Sequence, residues 1–121
     1  MRELKFRGIS LDTGKWEYGY GVIQSEHGGI IINKKGNNIS QMNAVDSKTI
    51  GQFTGLADKS GNEIYEGDWL RVCAGYISVV IYDEKQGCFL SKYSHPEDPE
   101  ELLLGDLGDE VEVIGNIHVE D

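Results

Sequence analysis

The sequence predicts a mainly β fold, and three observations predict it. Apolar residues fall in short runs bounded by Gly, Asn, Asp and Ser, not at helical spacing. The 16 glycines are spread along the whole 121-residue chain. β-Branched runs such as Ile30-Ile31-Ile32 and Ile77-Ser78-Val79-Val80-Ile81 have the length of single strands. Taken in order, residues 4–11 alternate Leu4 and Phe6 with Lys5 and Arg7. Asp12-Thr13-Gly14-Lys15 then supplies turn chemistry and residues 16–23 return, which makes an N-terminal hairpin. Glu26-His27-Gly28-Gly29 is a second turn before the strand at 30–32, and the polar stretch 33–38 is a loop. Asp46 stands where it caps a single helical turn over Ser47-Lys48-Thr49-Ile50, closed by Gly51. A strand over 52–56 and a turn at Asp58-Lys59-Ser60-Gly61 follow. Glu63-Ile64-Tyr65-Glu66 leads to a turn at Gly67-Asp68, after which Trp69, Leu70 and Val72 resume a strand. Residues 76–82 form a central strand that pairs with 87–93 through Asp83-Glu84-Lys85-Gln86. Asp98-Pro99-Glu100-Glu101 has the pattern of a helix start, with Asp at the cap and Pro at the first helical position. One short helix near 99–104, stopped by Gly105, is expected from it. Residues 110–118 alternate as a closing strand. The expected fold is β-rich α+β in a single domain over 1–121, and a division into two β subdomains, about 1–50 and 51–121, stays open.

The formal net charge is −10, and its placement is informative. Residues 1–96 hold 11 Lys and Arg against 11 Asp and Glu, whereas residues 97–121 hold 10 acids and no base. Glu97, Asp98, Glu100, Glu101, Asp106, Asp109, Glu110 and Glu112 are interleaved with Leu102, Leu103, Leu104 and Val111, the pattern of an acidic folded edge. These acids are the candidate interaction surface. They suit a basic partner protein, or solubility alone, and they oppose the phosphate attraction that dominates nucleic-acid affinity. A nucleic-acid role would have to use the aromatics Trp16, Tyr18, Tyr20, Phe53, Tyr65, Trp69, Tyr76, Tyr82 and Tyr93, with the early bases Arg2, Lys5, Arg7, Lys34, Lys35, Lys48 and Lys59. No apolar stretch approaches the ~20 residues of a membrane helix, and residues 1–20 carry no signal-peptide core. Cys73 and Cys88 make no CxxC pair. A cytoplasmic protein with reduced thiols is the expectation.

No string specifies an activity. Asp12-Thr13-Gly14 matches the loop of aspartic proteases but is followed by Lys15 and Trp16 between alternating strands, where it is ordinary turn chemistry. Asp58, Ser60 and Asn62 resemble the start of a calcium loop, yet Glu63 and Trp69 stand where such a loop needs glycine and a bidentate Glu. His27, His95 and His118 are far apart in sequence and form no metal-binding pattern. Cys88 and His95 have no spacing that supports a nucleophile and base. Gly19-Tyr20-Gly21 lacks the third glycine of a dinucleotide fingerprint. Catalytic, metal and cofactor residues are therefore expected to be none, and the protein is expected not to be an enzyme.

The string from Gln52-Phe53-Thr54-Gly55 through Asp58-Lys59-Ser60-Gly61-Asn62-Glu63-Ile64-Tyr65-Glu66-Gly67-Asp68 resembles the YopX family of small phage and prophage proteins. The similarity extends to both ends. Leu4-Lys5-Phe6-Arg7 resembles the opening strand of that family, Trp16-Glu17-Tyr18-Gly19 its early aromatic element, and Glu112-Val113-Ile114-Gly115-Asn116-Ile117-His118 its closing strand. Departures occur at Phe53 and His118, where the family usually has Tyr, and at Trp69, where it has a branched aliphatic. The resemblance implies a phage-encoded β-rich protein whose C-terminal part is an SH3-like small barrel, with no catalytic residues to carry over. Gly55, Asp58, Gly61, Glu63, Tyr65, Glu66, Gly67 and Asp68 are the motif's turn residues, and a structural role for them is expected. Gly permits unusual backbone angles and Asp bonds nearby amides. The leading functional expectation is an accessory protein in the host bacterial cytoplasm that binds a host or phage protein, with homo-oligomerisation open. Nucleic-acid binding by the barrel and an acidic mimic of DNA are the alternatives.

Overall fold

The computed structural model describes residues 4–26, 28–32, 42–72, 77–93, 100–103 and 111–119, with backbone alone for 93 and 100–103. The chain is mainly β and divides into two compact units, Met1–Phe53 and Thr54–Asp121.

The first unit begins with a hairpin. Strand β1 (Phe6–Ile9) pairs antiparallel with β2 (Trp16–Gly19), Ile9 standing opposite Trp16 and Phe6 opposite Gly19. The turn is built as its residues dictate: Ser10 N donates to Lys15 O at 2.8 Å, Ser10 Oγ accepts from the Asp12 and Thr13 amides, and Gly14 takes φ +72°. On its other side β1 pairs with the start of β6 (Gly51–Ala57), Phe6 opposite Gln52. The return strand expected over 16–23 is interrupted at Tyr20, whose amide donates to Ile32 O at 2.9 Å. Beyond it β3 (Gly21–Ser25), β4 (Gly28–Ile32) and β5 (Met42–Val45) form a separate antiparallel sheet in the order β3-β4-β5. The break adjoins a close approach of two strands. A Cβ on Gly19 would sit 2.3 Å from Ile32 O and 2.5 Å from Ile31 Cγ2, so β2 and β4 approach at a distance only glycine allows. The inward residues of β4 and β5, Ile31 and Val45, are fully buried against this layer. Asp46 caps a 3-10 turn over Ser47–Thr49, its side chain accepting from Lys48 N at 3.1 Å. The buried Thr49 hydroxyl donates to Asp46 O and accepts from Ile9 N, tying this turn to β1.

In the second unit the end of β6 pairs with β7 (Glu63–Tyr65), and five strands form one antiparallel sheet. These are β8 (Asp68–Arg71), β9 (Ile77–Asp83), β10 (Cys88–Tyr93), β11 (Glu100–Leu103) and β12 (Glu112–Asn116), in the order β11-β10-β9-β8-β12. Period-two alternation sends Leu70, Ser78 and Val80 to the inner face. Ile64, Leu70, Val72, Val80 and Val111 form the core there, with Phe89 and Val113 packed on it. Ser78 and Ser91, both wholly buried, satisfy each other by a hydroxyl–hydroxyl bond. The ladder order among the described residues is linear, with β11 and β12 at its ends, a coarser result than the SH3-like barrel the sequence suggested.

One expected element is corrected. Glu100–Leu103 is a strand and not a helix: it runs antiparallel to β10 with Tyr93 opposite Glu100 and Leu90 opposite Leu103. A two-turn helix is marginal in water whatever its cap. The edge of β10 offers the same residues a ladder of backbone hydrogen bonds, a long-range gain that a local cap pattern does not encode. Asp98 and Pro99, which carried the cap signal, lie outside the described residues, as do the loop residues 33–38.

Candidate functional site

The motif over residues 52–68 folds into two carboxylate nodes. At the first, Asp58 is buried at the start of the β6–β7 turn. Its Oδ1 accepts from the amides of Ser60 (2.9 Å) and Asn62 (2.8 Å), and its Oδ2 from Asn62 Nδ2 (3.2 Å) and Val113 N (3.0 Å). Gly61 closes this turn at φ +87°, and Lys59 N donates to Val111 O, so the turn holds the start of β12. Burial works to raise the Asp58 carboxyl. The Val113, Asn62 and Ser60 amides together with the Asn62 side chain outweigh it and hold the group below its ordinary value. At the second node Asp68 is 1 % exposed, with Oδ2 accepting from Tyr65 N at 2.8 Å and Oδ1 from Asn116 Nδ2 at 3.1 Å. Asn116 Oδ1 in turn accepts from His118 N, and Gly67, at φ +89°, donates to Val80 O and accepts from Ile117 N. Tyr65 OH donates to Glu63 Oε1 at 3.1 Å, Gly55 takes φ +87°, and Glu66 is half-buried beside Gly67. Each named oxygen of the two aspartates already faces N–H donors of the chain itself, so what these groups do is fasten β12 to the turns flanking β7.

The opposite side of the same sheet presents a surface. Register places Trp69 opposite Val79, Val79 opposite Lys92, and Arg71 opposite both Ile77 and Glu112. Directly opposed residues share a face. Trp69, Ile77, Val79 and Ile81 therefore form an apolar centre with Arg71, Lys92 and Glu112 around it. Trp69 is 38 % and Ile77 51 % exposed, large values for side chains of this size in a folded sheet. The rim carries both signs: Glu112 Oε2 lies 3.5 Å from Lys59 Nζ and 3.8 Å from Arg71 Nη1, and Lys92 is registered opposite Glu101.

The acidic candidates are distributed differently from a continuous face. Glu112 is half-buried in the ion pairs just given, Glu100 and Glu101 lie on the edge strand β11, and Glu97, Asp98, Asp106, Asp109 and Glu110 lie outside the described residues. Of the early bases, Lys5 Nζ sits 5.7 Å from the Phe53 ring centre, and the buried Arg7 guanidinium 4.1 Å from that of Trp16. Lys48 is exposed on the 3-10 turn, and Arg2, Lys34 and Lys35 lie outside the described residues. Asp12 is exposed in the β1–β2 turn, and Cys88 is a half-buried free thiol. His27, His95 and Cys73 lie outside the described residues, and His118 is exposed. Among the described residues no three His, Cys, Asp or Glu side chains cluster as a metal site, and no helix is long and apolar enough to cross a membrane. The apolar centre around Trp69 was missed from sequence, although the alternation in Asp68-Trp69-Leu70-Arg71-Val72 carries the signal: with Leu70 and Val72 inside, Trp69 must point out.

No curated protein matches the chain at a significant level. The family model described as YopX protein matches residues 5–120. That match takes in both carboxylate nodes and every strand described above, and the chain belongs to the YopX protein family.

Proposed function

We infer that this YopX protein is a phage- or prophage-encoded accessory factor working in the bacterial cytoplasm, not as an enzyme but as a module that binds another protein. One observation carries the reading: the outer face of β8 and β9 exposes Trp69 and Ile77 beside the half-buried Val79, within a rim where Arg71 and Lys59 meet Glu112. An apolar centre with a large aromatic and a polar rim is the anatomy of a protein interface. A single-strand nucleic-acid platform would need free positive charge beside the aromatic, and here Arg71 and Lys59 both face the Glu112 carboxylate. The partner that fits is a host or phage protein with its own apolar patch edged by charges of both signs.

The test is capture of the tagged full chain from host cells carrying the phage, with nuclease treatment, comparing wild type with Trp69→Ala and Ile77→Ser. A partner that survives nuclease and loses about 30-fold in affinity on Trp69→Ala, the size of an interface hot spot, supports the reading. Recovery that nuclease abolishes, or a partner retained equally by both variants, overturns it.

A further inference from the structure

We draw no further inference here: the strongest candidate, the apolar outer face of the β3-β4-β5 sheet around Ile23, Ile30 and Met42, carries nothing because nothing in the structure shows what covers it.

Discussion

The first unit and the second solve the same problem, fixing short strands that have little core of their own, by opposite means. In Met1–Phe53 the layers are held by shape: Gly19 lets β2 press on β4 where a methyl group would strike the Ile32 carbonyl, and Gly29 would meet Ile50 Cδ1 at 2.5 Å. In Thr54–Asp121 the strands are held by buried carboxylates that gather amides from distant segments, Asp58 reaching Val113 and Asp68 reaching Asn116. A lock made of missing atoms is indifferent to pH and intolerant of added volume. A lock made of charged hydrogen bonds tolerates nearby volume better and depends on proton activity.

Substitutions at five positions test this contrast, and the two tryptophans, Trp16 and Trp69, give each unit its own fluorescent reporter. Gly19→Ala should have the largest effect, about 3 kcal/mol from the backbone shift it forces. Gly14→Ala, at φ +72° with open space around it, should cost only about 1 kcal/mol. Urea unfolding followed at Trp16 in a Trp69→Phe background measures both, and equal costs would break the close-approach account. Asp58→Asn should come next, about 2 kcal/mol at neutral pH, because one amide donor is left facing another. The folded carboxyl lies below its ordinary 3.8, so its stabilisation is present above that value and is lost as pH falls through the folded pKa. The gap between wild type and Asp58→Asn, followed at Trp69, should therefore narrow on acidification, and a constant gap would contradict the assignment. The Ser78–Ser91 pair follows. Ser78→Ala should cost about 1–2 kcal/mol by stranding the partner hydroxyl, and adding Ser91→Ala should cost less than the sum of the two single changes. Strict additivity would show that the two hydroxyls do not depend on each other.

What sequence reveals here follows the range of the interaction that decides each feature. The Asp46 cap, the Asp12-to-Lys15 turn and the Asp83-to-Gln86 hairpin were legible because their hydrogen bonds span two to five residues. The helix expected near 99–104 failed for the reverse reason: its cap pattern is local, while the ladder to β10 is not. Strand β5 escaped notice because Met42-Asn43-Ala44-Val45 has no clear alternation until Ile31 and Val45 are seen to share a core. The closure of Asp58 on Val113 spans 55 positions, and the pairing of Glu112 with Lys59 and Arg71 spans 53 and 41; neither has a local signature. Chain-end acidity was plain in the composition, but the partners that neutralise Glu112 emerged only with the fold.

The fastening of β12 to both aspartate nodes has a consequence for synthesis. Every strand partner of β1 to β5 has been translated by residue 53, so the ladders of the first unit are available early to a chain leaving the ribosome. The second unit waits for Val111 to Ile117: until those residues emerge, Asp58 lacks the Val113 amide, Asp68 lacks the Asn116 side chain, and Leu70 lacks its neighbour Val113. A product that terminates before residue 111 would carry two inward carboxylates with donors missing, a nascent state open to proteases. Closure of the second unit around its two aspartates thus comes only after β12 has been made.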